Sequence, residues 1–154
     1  MKNPISKVVL ACIAFHSVVA MADTSNECGN FHIQISNLTK EVCVLTGQAV
    51  RHGNLITPAP TSILPSDSKR FDMTQSVYGP SIELSYQCGL ETITFTSKQN
   101  LCVLDAGSIH GEILHPRPVN ITANYTAIIG SYFWGRSGSI NWSVTPVQSG
   151  SAQQ

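Results

Sequence analysis

Charged side chains are scarce in this sequence of 154 residues, which contains nine Lys or Arg and nine Asp or Glu. The formal net charge is zero, which argues against a nucleic-acid-binding protein, because such a protein needs a basic face to engage phosphates. The low charge also argues against a coiled coil or long solvated helices. Ser, Thr, Asn and Gln take the place of charge, as is typical of the exposed faces of β-sheets.

The motifs of common enzymes are also missing. G-x-S-x-G, H-E-x-x-H, G-x-x-x-x-G-K-[ST] and G-x-G-x-x-G do not occur. Asp105, Ser108 and His110 lie close together in sequence, as members of a hydrolase triad sometimes do, and Glu83 and Glu91 are candidates for an acid–base pair. Neither set has a characteristic spacing. We therefore expect a protein that is not an enzyme, with a hydrolase of unrecognised site as an alternative.

The N-terminal segment, residues 1–22, has the features of a secretory signal peptide. Lys2 and Lys7 precede an apolar stretch, and Ala20-Met21-Ala22 fits the small-x-small cleavage pattern. A membrane anchor is the alternative, but the apolar run is shorter than the roughly 20 residues that a spanning helix needs. Lipid attachment at Cys12 is a second alternative. We expect a secreted protein, extracellular or periplasmic, without a transmembrane segment once the signal is removed.

Removal of the signal changes both the charge and the cysteine count. Without Lys2 and Lys7 the nine acidic residues outnumber seven basic ones, and the net charge becomes −2. Four cysteines remain, and an even number in an exported chain predicts two disulfides. The short spacings favour Cys28–Cys43 and Cys88–Cys102, although four cysteines allow three pairings. A zinc site is the other use of four cysteines, but no pair has the C-x₂₋₄-C spacing.

Apolar and polar residues alternate repeatedly after residue 22. Such a period of two predicts strands with one buried and one exposed face. The apolar members of these runs are Phe31, Ile33, Ile35, Ile82, Leu84, Tyr86, Ile93, Phe95, Ile121, Ala123, Tyr125, Ala127, Ile129, Ile140, Trp142 and Val144. No convincing helical stripe is present.

Turn residues separate these runs at the spacing of an all-β domain. We predict strands near 30–37, 41–49, 81–88, 92–97, 101–105, 108–114, 119–129 and 140–145, with a long irregular crossing over 57–67. Eight to ten short strands bury their apolar faces most economically in an antiparallel two-sheet β-sandwich, and a closed barrel is the alternative. Residues 23–146 form this single domain, with Trp142 and Tyr125 in its core, and residues 147–154 form a polar, disordered tail.

Tyr132-Phe133-Trp134, followed by Gly135 and Arg136, is the most suggestive segment for function. Consecutive aromatic residues cannot all face the core of one strand, so at least one points outward or caps the sandwich. Outward aromatic rings beside an Arg can stack on a sugar, enter a bilayer interface or anchor a protein. The alternative is that Tyr132 and Trp134 close the end of the core while Phe133 packs under a neighbouring loop.

His110 and Glu112 fall on one face of a predicted strand, with His115 nearby. Imidazole and carboxylate groups can bind zinc or copper, but three candidate ligands in six residues is a common coincidence. Exposed polar residues on the solvent face are the simpler interpretation. We expect no metal and no cofactor.

Three segments carry a resemblance that extends over nearly all of the sequence after the signal. They are Gly79 to Gly89, Ile93 to Cys102, and Ser131-Tyr132-Phe133-Trp134 with Gly138 to Trp142. They resemble a group of small exported bacterial proteins of unknown function, associated with intracellular gammaproteobacterial pathogens. This resemblance implies a fold and an export route, but no activity.

In architecture alone, a small two-sheet domain with surface aromatic residues is similar to aegerolysins and actinoporin-like cytolysins, whose members bind lipids. The sequence therefore predicts an exported, non-catalytic binding protein for a surface carbohydrate, lipid or host protein. Tyr132, Phe133, Trp134 and Arg136 are its expected ligand-binding residues. A membrane-active, cytolysin-like domain is the alternative.

Overall fold

The computed structural model of the protein describes residues 24–103 and 107–147. Within them lie a 3₁₀ helix, Thr24–Gly29, and ten strands: β1 (Asn30–Asn37), β2 (Cys43–His52), β3 (Asn54–Leu55), β4 (Ser62–Ile63), β5 (Ser68–Thr74), β6 (Ser81–Cys88), β7 (Glu91–Gln99), β8 (Ile109–Ile113), β9 (Ile121–Ile128) and β10 (Gly138–Pro146). The predicted signal peptide, Asp105, and residues 148–154 of the predicted tail lie outside the described residues.

The strands form two five-stranded sheets. Sheet A has the order β3-β5-β1-β10-β9, and sheet B has the order β4-β2-β6-β7-β8. All pairs are antiparallel except β1 and β10, which run parallel. The predicted two-sheet β-sandwich is therefore confirmed, with one parallel pair that the sequence pattern did not indicate.

Alternation along the strands places the core between the two sheets. In β1, Phe31, Ile33 and Ile35 are buried while their sequence neighbours are partly exposed, and β6 and β10 follow the same pattern. Successive side chains of a strand point to opposite faces, so each sheet has one apolar face. Each fully buried Ile or Phe contributes roughly 1.5–3 kcal/mol to folding relative to an exposed one.

A row of aromatic rings crosses this core from sheet B to sheet A. Tyr86 stacks on Phe95 with ring centroids 6.2 Å apart, and Phe95 stacks on Trp142 at 4.6 Å. The Trp142 indole donates a hydrogen bond of 2.8 Å to the Ser97 hydroxyl of β7. The Tyr86 hydroxyl donates to the Pro60 carbonyl, and burial raises the pKa of this phenol. The hydroxyl of Tyr86 and the indole N–H of Trp142 are therefore both hydrogen-bonded inside the core.

The disulfide pairing predicted from spacing is wrong. The structure contains Cys28–Cys102 and Cys43–Cys88 instead. Cys43 and Cys88 are register partners on the neighbouring strands β2 and β6. Cys28 precedes β1 of sheet A and Cys102 follows β7 of sheet B, so their bond joins the two sheets. Proximity in this fold follows strand order and not sequence distance.

The strand predicted over 101–105 is also wrong where the structure describes it, since residues 101–103 are not in a strand. β7 continues to Gln99, and the Asn100 amide then donates to the Ser108 carbonyl across a loop. Cys102 is buried in its disulfide while Leu101 and Val103 are exposed. The apolar residues of this segment belong to a loop and not to the core.

The sandwich has two distinct ends. At one of them β5, β7 and β9 finish and β1, β6, β8 and β10 begin, as the strand registers show. We call this end the loop end, and it carries the connections 75–80, 100–108 and 129–137. The opposite end carries the connections 38–42, 64–67, 89–90 and 114–120.

Candidate functional site

The predicted aromatic segment forms a closed turn between β9 and β10, which we call the aromatic loop (residues 129–137). Ser131 and Arg136 face each other across it, and each backbone amide donates to the other residue's carbonyl, at 2.8 and 3.0 Å. Gly135 has a φ of 51°, a left-handed conformation that glycine adopts without steric cost. The turn is thus defined by its own backbone.

This turn directs its two central aromatic side chains into solvent. Phe133 is 78% exposed and Trp134 is 83% exposed. Tyr132 is half-buried and meets Phe133 edge to face at 6.0 Å. The exposed Arg136 uses its Nε to donate to the Ile129 carbonyl at 3.2 Å. The structure brings the four predicted residues together, and the alternative in which Trp134 caps the core is wrong.

Further apolar side chains that sequence reasoning missed project from neighbouring loops of the same end. In the 75–80 connection Val77 is 78% and Tyr78 is 62% exposed. Leu101 and Val103 are exposed in the 100–108 connection. The sequence signal was present in Val77-Tyr78-Gly79-Pro80, where a turn dipeptide directly follows two large apolar residues and leaves them no strand in which to be buried.

The side-chain amides of Gln75 and Gln99, together with a disulfide, tie segments of the loop end to one another. The Gln75 side chain donates to the Cys102 carbonyl at 3.1 Å and accepts from the Cys102 amide at 3.0 Å. The fully buried Gln99 donates to the Cys28 carbonyl at 2.8 Å, and Cys28 is bonded to Cys102. The Ser137 hydroxyl donates to the Glu27 carboxylate. The backbone segments that carry the exposed apolar side chains are therefore held in place by hydrogen bonds.

A cleft of about 450 Å³ opens on the side of the sandwich, between the edge strands β8 and β9. Tyr125 lies here and is 41% exposed, so its predicted place in the core is wrong. β9 is an edge strand of sheet A, and its residues 124–128 are exposed. The cleft is lined by Gly111, Glu112, Arg117, Asn124, Tyr125 and Trp142, among others.

The outer face of sheet A carries a small charged network. His32 Nδ1 lies 2.6 Å and Arg70 Nε 2.9 Å from the same oxygen of Asp72. Partial burial raises the pKa of the Asp72 carboxyl, but the hydrogen bonds from Arg70 and His32 outweigh it, so the pKa lies below its ordinary value. This network joins β1 to β5 and shares no residue with the aromatic loop or the cleft.

Of the residues considered for catalysis, the structure describes Ser108, His110, Glu83 and Glu91. The Ser108 hydroxyl bonds the Asn100 side chain at 2.6 Å, His110 is exposed, and Asp105 lies outside the described residues. Glu83 is in register with Thr96, while Glu91 lies five residues away on the same strand, roughly 16 Å at 3.3 Å per residue. That separation is too large for a pair of glycosidase carboxylates.

His110, Glu112 and His115 do not form a metal centre. In residues 24–103 and 107–147, no group of three or more His, Cys, Asp or Glu side chains could hold a metal ion. Glu112 and His110 share the exposed face of β8, as their alternation predicted. Among the described helices, none is long and apolar enough to cross a membrane.

Comparison with known proteins identifies the fold. No protein-family model and no curated protein matches the sequence. Among solved structures, the lipid binding protein Nakanori is similar with a TM-score of 0.55 and 8% identity, over 75% of this chain and 70% of that one. IP-1A from Alcaligenes faecalis is similar with a TM-score of 0.55 and 16% identity, over 80% of this chain and 95% of that one. At these identities the likeness shows a shared β-sandwich fold.

Proposed function

We propose that this protein is an exported, non-catalytic protein that binds the surface of a lipid membrane through its loop end. The observation that carries the proposal is the exposure of Phe133 and Trp134 on a closed, hydrogen-bonded turn. Val77 and Tyr78 extend the same apolar character to a second loop of that end.

The interfacial region of a bilayer suits these side chains. Trp and Tyr have an apolar ring and a polar tip, and they are enriched at the boundary between lipid headgroups and acyl chains. Among the described residues, the exposed aromatic side chains Tyr78, Phe133 and Trp134 lie at the loop end, whereas the exposed large apolar residues of the opposite end are aliphatic. Since the Ser131–Arg136 backbone hydrogen bonds fix the aromatic loop and the Gln75 amide fixes the start of the 75–80 connection, little backbone conformational entropy remains to be lost on binding.

Two further findings support the proposal. A protein of the same fold, Nakanori, is a lipid binding protein. The two disulfides fit an oxidising compartment, extracellular or periplasmic, where an exported protein meets membrane surfaces. The arrangement of the loop end supplies the local argument, because a fold alone does not determine function.

The two tryptophans of the chain allow a direct test. Trp134 is exposed and Trp142 is buried, so a Trp142→Phe variant leaves Trp134 as the sole reporter of the aromatic loop. We expect its emission to shift to shorter wavelength when phosphatidylcholine vesicles are added, because the indole leaves water. Co-sedimentation with the same vesicles measures the affinity of the unmodified protein.

Trp134→Ala should reduce that affinity at least about tenfold, since a large part of the inserted apolar surface is lost. Leu90→Ala is the matched control, because Leu90 is fully exposed at the opposite end of the sandwich. It should leave vesicle binding unchanged. Vesicle binding that is absent in the unmodified protein, or that is equal in the two variants, would refute the proposal.

The same vesicles separate simple binding from a membrane-active, cytolysin-like function. Vesicles loaded with a self-quenched dye remain intact if the protein only attaches to the surface. Release of the dye by the unmodified protein but not by Trp134→Ala would support the cytolysin-like alternative, with the same loop as the point of attachment.

A further inference from the structure

The side cleft between β8 and β9 has the shape of a small-molecule site. Its volume of about 450 Å³ lies within the roughly 300–1,000 Å³ that is usual for ligand pockets. Gly111 contributes to this shape, because a Cβ at this position would lie 2.7 Å from Trp142 and 2.8 Å from Tyr125. A larger residue on β8 would displace the rings that form the wall.

One wall of the cleft is an aromatic ring held in a fixed orientation. The Tyr125 ring packs against Trp142 with centroids 5.0 Å apart and an interplanar angle of 51°. Trp142 is itself fixed, because it stacks on Phe95 and its indole donates to Ser97. The exposed part of the Tyr125 ring therefore forms a rigid part of the cleft lining.

The rim of the cleft carries hydrogen-bonding groups of both kinds. Arg117 supplies donors, Glu112 supplies acceptors, and the exposed Asn124 amide supplies both. Within the part of the chain that the structure describes, no side-chain hydrogen bond or ion pair joins Arg117 or Glu112 to another residue. The opposite charges of these two residues leave the rim close to neutral.

We propose that this cleft binds a neutral saccharide ring. The C–H bonds of a sugar carry a slight positive charge and can lie on the negative face of the Tyr125 ring. The hydroxyl groups of a sugar both donate and accept hydrogen bonds, so they can pair with the donors of Arg117, the acceptors of Glu112 and the amide of Asn124. An anionic ligand would meet the Glu112 carboxylate, and a purely apolar one would leave the polar rim without partners. The cleft shares no residue with the aromatic loop, so this proposal does not depend on membrane binding.

A Trp134→Phe variant tests the proposal, because Trp142 is then the sole tryptophan and forms part of the cleft. Its fluorescence is titrated with soluble oligosaccharides that end in galactose, mannose, glucose or N-acetylglucosamine, and separately with inorganic phosphate. We expect at least one neutral sugar to change the emission below about 10 mM, which corresponds to weak specific binding. Phosphate should have no effect.

Variants in this background locate the site. Tyr125→Ala and Arg117→Ala should each weaken sugar binding at least about tenfold, while Tyr125→Phe, which keeps the ring, should bind nearly as well as the parent. Thr126→Ala and Lys98→Ala are the controls, since Thr126 neighbours Tyr125 on the opposite face of β9 and Lys98 is an exposed cation outside the cleft. Melting curves check that each variant is folded.

Three results would overturn the proposal: no response to any neutral sugar, a response to phosphate alone, or sugar binding that survives in both Tyr125→Ala and Arg117→Ala. Vesicle binding by the unmodified protein can fail or succeed independently of these outcomes. The two proposals are therefore separately testable.

Discussion

Trp142 and Trp134 are the same residue type in opposite surroundings, only eight positions apart. Trp142 is 1% exposed, stacks on Phe95 and donates its indole N–H to Ser97. Trp134 lies at the tip of the aromatic loop, where most of its ring contacts solvent. Hydrophobicity alone assigns both rings to the core. The strand alternation around Trp142 and the glycine after Trp134 are what distinguish them in the sequence.

Alanine substitution of the two tryptophans should therefore have very different effects on stability. We expect Trp142→Ala to lower the free energy of unfolding by about 3–5 kcal/mol, because it leaves a cavity and an unpaired Ser97. Trp134→Ala should change it by less than about 0.5 kcal/mol. Chemical denaturation of both variants measures this. A large loss of stability in Trp134→Ala would contradict the exposed position of the aromatic loop.

At the level of elements, β9 shows where alternation stops predicting burial. Ile121 and Ala123 are buried as predicted, but Tyr125 and Ala127 are exposed although they lie on the same face. β9 and β8 are edge strands of the two sheets, and Gly111 of β8, which lies against Tyr125, has no side chain to cover the ring. The sequence of β9 does not show that it is an edge strand or which residue of β8 lies against it. For this reason the cleft was not predictable from the pattern.

The close approach of β8 to the aromatic rings can be tested at Gly111. A Gly111→Val side chain would overlap Trp142 and Tyr125 and force them to move. We expect a loss of about 1–3 kcal/mol in the free energy of unfolding, as for other overpacked cores. Thr96→Val is a suitable control, because Thr96 lies on the neighbouring strand β7 and faces outward, away from the core. A fully stable Gly111→Val variant would argue against this packing.

We expect the network of His32, Arg70 and Asp72, which joins β1 to β5, to make the stability of the protein depend on pH. The pKa of Asp72 in the folded protein is below the unfolded value of about 3.9. The ionised carboxylate therefore stabilises the fold fully above that pH, and this stabilisation is lost as the pH falls through the folded pKa. Asp72→Asn should therefore cost about 1 kcal/mol near neutral pH and progressively less below roughly pH 4. Chemical denaturation of both proteins between about pH 3 and pH 7 measures whether the stability loss of Asp72→Asn decreases as the pH falls.

Glu112→Gln is the control for that experiment, since its carboxylate has no charged partner within the described residues. It should leave the pH dependence nearly unchanged. If Asp72→Asn destabilised the protein equally at neutral and acidic pH, the loss would come from packing and not from the ionised carboxylate.

Turn positions were among the more predictable features of the elements. The turn expected after β1 is present, and the fully buried Asn37 organises it by donating to the Glu41 and Ile63 carbonyls and accepting from Thr39. Asn side chains form such local bonds readily, so the residue type itself indicated the turn. That the turn carries the chain from sheet A to sheet B could not be predicted, because local bonds do not specify which strands pair.

At the scale of the whole molecule, the disulfides also show that local sequence features do not specify which strands lie next to each other. The four cysteines that follow the predicted signal peptide predicted two disulfides, but their pairing depends on strand order in space. The candidate site was predictable in part, since the aromatic segment is contiguous in sequence. The contributions of Val77 and Tyr78, and the cleft built from β8, β9 and β10, depend on long-range pairing that alternation does not encode.

Cys28–Cys102 closes a long stretch of chain and joins the sheets at the loop end. We expect a double variant, Cys28→Ala with Cys102→Ala, to lose about 2–4 kcal/mol of unfolding free energy, because its unfolded state gains conformational freedom. Vesicle binding should weaken as well, since the 100–108 connection loses one of its attachments. Denaturation and co-sedimentation measure the two effects. Unchanged stability would show that Gln75 and Gln99 alone secure this end.

The parallel arrangement of β1 and β10 has a practical consequence for labelling. β1 begins at the loop end, and β10 finishes at the opposite one, so the two extremities of the folded domain lie at opposite poles. If the loop end binds a membrane as proposed, a bulky fluorescent protein joined before β1 would lie at the membrane-facing end, whereas one joined after β10 would lie at the opposite end. The second fusion is therefore expected to leave membrane binding intact.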